Sequence, residues 1–236
     1  MNRSGAIPAC ETCQSRLCSI FGELNDSELG ILSKYKCGNF YKKGQNLFFI
    51  GAPPAGIFCI SSGKVKIYKL DSSGKEQIVR LTKDGDVVGY RSLISGERYS
   101  AFATTLEDSK ICFIPKDIFF KLLESNSNLS FKVMKLLSQD LKAAENIVAS
   151  MAQKTVRERV AEVLLILKEF YGVEGDGKTL NISLKREDLA SMVGTANESL
   201  IRFLSEFKQD KMIELTGRKI KILDQAALVK TANVFD

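Results

Sequence analysis

The chain has 236 residues, 44% hydrophobic and 26% charged, with 34 Lys+Arg against 28 Asp+Glu and a net charge of +6. That is globular composition with enough apolar matter for one large or two modest domains, so disordered and fibrous classes are excluded. With six cysteines and no histidine, Cys/His zinc sites, a Ser-His-Asp triad and two-histidine iron centres are excluded as well.

No apolar run approaches the roughly 18 residues of a membrane helix, and Met1 to Pro8 lacks the apolar block of a secretory signal. The expected location is therefore the cytoplasm. In a reducing compartment, clustered thiols read as metal ligands, redox sensors or small buried hydrophobes rather than as a disulfide framework. The mild positive balance is compatible with a nucleic-acid surface, and its distribution has to decide.

From the N-terminus, a polar arm carries Cys10, Cys13 and Cys18, and a short helix, Asp26 to Leu32, follows the cap signal Leu24-Asn25-Asp26. Between Lys36 and about Pro115 the text changes to short apolar runs punctuated by glycines. Leu47 to Ile50 and Ile57 to Ile60 are continuous and suit buried strands, whereas Val65-Lys66-Ile67-Tyr68-Lys69 alternates as a half-buried strand does. Turn tokens Ser61-Ser62-Gly63 and Asp71-Ser72-Ser73-Gly74 separate the runs. The pattern predicts an antiparallel β-barrel or jelly roll. Cys37 and Cys59 fall inside these runs and are expected in the core.

Around Ile118 the period turns helical. A long helix, Leu129 to Val156, carries Val133, Leu137, Leu141, Ala144, Val148 and Met151 in steps of three and four, a seam for a parallel dimer or for packing on the chain's own barrel. Thr155 to Gly172 is a second helix with Val160, Val163, Leu164 and Leu167 on its apolar face. Then come a strand, Leu180 to Leu184, helices Arg186 to Val193 and Asn197 to Lys211 about the turn Gly194-Thr195, and two strands, Met212 to Leu215 and Lys219 to Leu223. Two helices about a glycine turn followed by a basic hairpin spell a winged helix-turn-helix. The expected fold class is α+β, divided into an arm (1–32), a sensor barrel (33–126), a dimerisation helix (127–154) and a DNA-binding domain (155–236).

This order resembles the CRP/FNR family of bacterial transcription regulators over nearly the whole chain. The motifs that carry the resemblance are Gly44-Gln45-Asn46-Leu47-Phe48-Phe49-Ile50-Gly51, Ser61-Ser62-Gly63-Lys64-Val65-Lys66, Gly85-Asp86-Val87-Val88-Gly89 and Cys112-Phe113-Ile114-Pro115. The resemblance implies a cyclic-nucleotide-binding-type barrel, a homodimer on double-stranded palindromic DNA, and RNA polymerase as a partner. Family members that bind cyclic AMP use a Gly-Glu pair and an Arg-Ser-Ala run. This chain has Gly89-Tyr90 and Tyr99-Ser100-Ala101, so both anchors are lost and cyclic AMP is not expected; Arg91, Arg98 and Ser100 remain as candidates for another anionic effector. No nucleophile-base pair or phosphate loop points to an enzyme.

The resemblance to the FNR branch extends to the thiols: three clustered N-terminal cysteines and one in a barrel strand before an Ile-Pro step there hold an oxygen-labile [4Fe-4S] cluster. Cys10, Cys13, Cys18 and Cys112 match that set, with a second spacer one residue shorter. All-Cys ligation suits Fe-S or zinc, and a metal-free regulator remains open. A further alternative is a redox or metal protein whose helix-turn-helix serves protein contacts.

In the helix Asn197 to Lys211, Leu200, Phe203, Leu204 and Phe207 form one face and Glu198, Arg202 and Ser205 the other. The resemblance assigns base reading to Glu198 and Arg202, chemistry that suits cytosine N4 and guanine O6/N7. Asn197 is expected beside them, and Ile201 could touch a thymine methyl. The same residues also spell a capping box, Thr195-x-x-Glu198, and i,i+4 pairs from Glu198 through Arg202 to Glu206. Lys185, Arg186, Arg218, Lys219 and Lys221 are expected on phosphates.

Overall fold

The computed structural model describes residues 7–233; the first six residues of the expected arm and the last three of the expected DNA-binding domain lie outside them. The chain divides into two compact units, one holding residues up to Lys69 with Val79–Lys142, the other Leu70–Ile78 with the chain from Ala143 onward.

The first unit begins with a 3-10 turn, Cys10–Thr12, and a one-turn helix α1, Gln14–Leu17. Helix α2, Asp26–Tyr35, starts where the cap signal places it, because Asn25 and Glu28 close a capping box, and it runs three residues past Leu32. Eight strands follow: β1 Cys37–Tyr41, β2 Asn46–Phe48, β3 Gly56–Ser62, β4 Val65–Leu70, β5 Glu76–Thr82, β6 Val87–Val88, then, after helix α3 Tyr90–Ser95, β7 Phe102–Thr105 and β8 Ser109–Pro115. They form two four-stranded sheets, β1-β8-β3-β6 and β2-β7-β4-β5. Among the described residues the edge strands β1 and β6 of one sheet form no ladder with β2 and β5 of the other, so the expected closed barrel is an open pair of sheets held together by the side chains between them.

Phe48, Phe58, Ile60, Val65, Val88, Ala103 and Ile111 come from both sheets and form one core between them. The outer face of the β8-β3-β6 sheet contributes Ile57, Val87 and Ile114 to a second core, closed by Leu29 and Leu32 of α2 and by helix α4, Lys116–Ser125. Strand β3 is thus buried on both faces, as its continuous run requires. The run Leu47 to Ile50 is not: β2 ends at Phe48, and Phe49 and Ile50 are exposed. Cys37 also departs from expectation, lying exposed at the start of edge strand β1. Ser61 to Gly63 turns β3 into β4 through a positive φ of 120° at Gly63, where an added Cβ would lie 2.1 Å from Ser109 Oγ, so only glycine serves.

Helix α5, Ser127–Gln153, follows, and its residues 141–149 are all exposed. In the second unit, α6 Val156–Tyr171 begins at a Thr155–Glu158 capping box and buries Val160, Val163, Leu164 and Leu167. Helices α7, Arg186–Val193, and α8, Asn197–Gln209, meet about Gly194 (φ 69°), and the hairpin β9 Ile213–Thr216, β10 Lys219–Ile222 precedes helix α9, Gln225–Ala232. The expected strand Leu180 to Leu184 does not form. Leu180, Ile182 and Leu184 are buried in the predicted alternation, but the pairing is limited to the bridges Val173–Leu180 and Thr179–Lys221, so no ladder extends along the segment.

Candidate functional site

Within the first unit the N-terminal thiols are held by a network centred on Arg16. Its Nε donates to Cys10 O at 2.9 Å and its Nη1 to Phe21 O and Gly22 O, both at 3.0 Å, so one guanidinium folds the loop from Cys10 to Gly22 around itself. The Cys10 amide donates to Ser33 Oγ of α2 at 3.0 Å, and the Ser15 hydroxyl donates to Ser61 O at the end of β3. These bonds lay the arm across the sheet.

The result is a cavity lined by Cys10, Cys13, Cys59 and Cys112 beside Arg16 and Lys36. Cys59 and Cys112 stand directly opposite each other on β3 and β8. All six thiols are free. Burial pushes the Cys59 thiol up, and the neighbouring Cys112, Cys10 and Cys13 add to this; burial pushes Cys112 up as well. Such thiols hold their protons until a cation displaces them.

Three of the four expected metal ligands, Cys10, Cys13 and Cys112, therefore share one cavity. Cys18 is exposed and does not line it, whereas Cys59, expected as core, does. Among the described residues no three Cys, Asp or Glu side chains converge on a point where one metal ion could sit. A tetrahedral zinc needs that convergence at about 2.3 Å per sulfur. A cubane cluster takes each thiolate on a different iron and suits sulfurs spread around a cavity.

The expected effector residues are not brought together around a pocket. Arg91 and Ser100 are exposed, and exposed Arg98 donates from Nη1 to Gly51 O at 2.8 Å. The space between the sheets is filled by side chains: the Tyr99 ring stacks on Phe48 at 3.9 Å between centroids, and Phe58 lies 6.0 Å from Phe48. Burial pushes the Tyr99 phenol up to about 12.

Along α5, Val133 is buried, Leu137 partly buried, and Ala144, Leu141 (62%) and Val148 (68%) exposed. Met134, also exposed, lies one turn before Leu137 and two before Leu141 on the same side of the helix, and the steps of three and four counted from Val133 pass over it. Met151 is half-buried against the helix-turn-helix: a Cβ on Gly194 would lie 2.6 Å from its Cε.

On α8, Leu200, Leu204 and Phe207 are buried and Glu198, Ile201, Arg202 and Ser205 exposed; Phe203 is only partly covered, with Arg202 over its ring at 4.7 Å. The Thr195 capping box does not form. The N-cap is Ala196 and makes no side-chain cap bond, because Thr195 is drawn inward, its amide donating to Ala190 O at 3.1 Å. Of the i,i+4 pairs, Arg202–Glu206 is present at a loose 3.9 Å. Asn197 Oδ1 is buried without a hydrogen-bond partner.

Of the expected phosphate contacts, Lys185, Arg218 and Lys219 are exposed, and Arg186, Lys219 and Lys221 each hold a partner within the second unit. Arg186 Nη2 donates to Gly217 O at 2.9 Å, Lys219 pairs with Glu174 at 2.9 Å and Lys221 with Asp176 at 3.4 Å. Backbone amides of Thr179 and Lys178 hold the Asp176 carboxyl well below its ordinary range, so it stays charged beside the wing.

Comparison with known proteins matches residues 39–126 to the family described as cyclic nucleotide-binding domain and residues 158–231 to the Crp-like helix-turn-helix domain. The chain is 31% identical over 233 residues to the fumarate and nitrate reduction regulatory protein of Vibrio cholerae, covering 98% of this chain and 92% of that one. It is 29% identical over 230 residues to electron transport regulator A of Shewanella oneidensis, covering 95% and 90%. Among solved structures, FixK2 of Bradyrhizobium japonicum superposes with a TM-score of 0.77 at 23% identity over 85% of this chain and 99% of that one, and a CooA variant of Carboxydothermus hydrogenoformans with 0.74 at 24% over 94% and 95%. Among the described residues no helix is long and apolar enough to cross a membrane.

Proposed function

Because this chain belongs to the CRP/FNR family of DNA-binding transcription regulators, we propose that it acts as a homodimer that reads a palindromic site with α8 and is governed by a thiol-ligated [4Fe-4S] cluster in its first unit. The observation that carries the sensing half is the cavity at which Cys10 and Cys13 of the arm meet Cys112 of β8. The thiols are free and spread around a space flanked by Arg16 and Lys36, charges that favour an anionic cluster. Bound there, the cluster would supply oxygen-labile iron–sulfur bonds. The relatives named for fumarate and nitrate reduction and for electron transport support a redox signal.

For the DNA-reading half, Glu198 and Arg202 stand on the open face of α8, the chemistry that suits a C·G or G·C pair in the major groove. Neither is consumed by a helix cap. A dimer places two such helices on half-sites about one helical turn apart. Anaerobic purification, an absorbance spectrum, iron and sulfide assays, and a gel shift on a palindromic duplex before and after exposure to air test both halves together. A brown protein with near-stoichiometric iron and sulfide, and a shift that weakens in air, is the expected result. A colourless, iron-free anaerobic protein that binds DNA tightly would end the cluster reading.

A further inference from the structure

A polar cluster that the sensing and reading functions leave unused lies inside the first unit. Arg80 of β5 donates from Nη1 to Asp140 Oδ2 of α5 at 2.9 Å and to Tyr90 Oη, at the start of α3, at 3.0 Å. The Tyr90 hydroxyl donates to the same Asp140 oxygen. The Arg80 guanidinium also lies over the Tyr90 ring, 5.6 Å from its centroid. The Arg80 and Asp140 side chains are 18% and 14% exposed, and Tyr90 is 1% exposed. Burial raises the Tyr90 phenol well above its ordinary value, so the hydroxyl keeps the proton it donates.

A buried ion pair is a poor source of stability, because taking two charges out of water offsets most of their attraction. What it provides is discrimination between arrangements: a carboxylate delivered elsewhere leaves a guanidinium and a phenol unpaired where little water reaches them. Asp140 immediately precedes Leu141, and successive residues on a helix are turned by about 100°. Only one rotational setting of α5 brings Asp140 to both donors, and in that setting Met134 and Leu141 point to solvent. The apolar contacts that hold the same stretch, buried Leu129 and Val133 with partly buried Leu136 and Leu137, are non-directional and tolerate a few degrees of roll.

We propose that Arg80, Tyr90 and Asp140 are positioning residues for dimerisation, a clamp that fixes the roll of α5 so that Met134, Leu137 and Leu141 face a second copy of this chain. The inference rests on the homodimer reading above. It assigns to three residues, none of them on the seam, the task of aiming it.

The test separates aiming from folding. Arg80→Met, Tyr90→Phe and Asp140→Leu together remove every polar group of the clamp and leave none orphaned. In a Leu141→Glu background, which is monomeric under the dimer reading, the triple variant should melt at or above the temperature of its parent. In the Leu141 background, sedimentation should show dimerisation weakened at least tenfold with unchanged far-ultraviolet circular dichroism. Asp140→Asn, which keeps the shape and loses the charge, should show a smaller loss in the same direction. A dimerisation constant within twofold of wild type for the triple variant overturns the proposal. So does a large drop in melting temperature in the monomeric background, which would make the clamp ordinary structural support. A wild-type chain that stays monomeric at all concentrations and in every metal and redox state instead sinks the dimer reading itself, before any variant is compared.

Discussion

Truncating Leu141 to alanine gives the most quantitative test of the α5 seam. Leu141 is 62% exposed in the single chain, so most of its side chain has no apolar partner until another surface covers it. Full burial of a leucine side chain stabilises by about 1.5–3 kcal/mol. Covering the open fraction contributes about 1–2 kcal/mol per protomer, and a two-fold interface counts it twice, so about 2–4 kcal/mol is lost. At about 1.4 kcal/mol per decade, dimerisation should weaken about 30- to 1,000-fold. Sedimentation equilibrium over a concentration series measures this directly, and Ile166→Ala, 48% exposed on α6, is the control that should leave the constant unchanged. Chain stability should move little, since the removed atoms are largely solvated in the monomer. A dimerisation constant for Leu141→Ala equal to wild type would refute the assignment of this stripe as an interface.

Arg202→Ala should cost about 1–3 kcal/mol on the cognate site and relax one base position, read by gel shift against a library of single-base variants; equal losses on cognate and random duplex would make Arg202 a phosphate or structural residue. Lys185→Ala should weaken all sequences alike. Serine at Cys10, Cys13 or Cys112 should leave the anaerobic protein without stoichiometric iron, while serine at exposed Cys37 should not, as an iron and sulfide assay will report; iron retained in Cys112→Ser contradicts the cavity as the cluster site. Serine at Cys18 and at Cys59, compared side by side, will show which thiol completes the set. Saturating cyclic AMP should leave the melting temperature unchanged because Tyr99 and Phe48 fill the space between the sheets; a shift at micromolar nucleotide would show that these rings move aside.

Elements governed by local chemistry were legible in the sequence. The cap of α2, the turns at Gly63 and Gly74 and, Phe203 apart, the buried face of α8 depend on residues within a few positions of each other. Features governed by cross-strand register were not. Cys59 reads as one more apolar residue of β3 until the pairing with β8 sets it opposite Cys112. Asp140 reads as a solvated helix residue until β5 and α3 bring Arg80 and Tyr90 to it. The Thr195 capping box failed for a related reason: the turn into α8 is fixed by packing around Ala190 and Gly194, which overrides the local side-chain option. Leu180 to Leu184 kept its alternation and lost its strand, since the period of two reports burial of alternate residues and says nothing about whether a neighbour supplies the ladder.

The ion pairs of the wing bear on how the protein responds to ionic strength. Lys219 and Lys221 already hold Glu174 and Asp176, so a phosphate arriving at the wing takes the place of a carboxylate partner and sets free an acidic side chain of the protein. Each phosphate neutralised by a free cation contributes about −0.9 to the logarithmic dependence of affinity on salt, through the condensed counterions it liberates from the duplex. The two wing lysines bring compensating negative charge to the same groove edge, and the slope per subunit should fall about two short of a count of its basic residues. Replacing Glu174 and Asp176 by glutamine and asparagine would restore that missing steepness, so the acidic turn acts as a built-in damper on non-specific adhesion to nucleic acid.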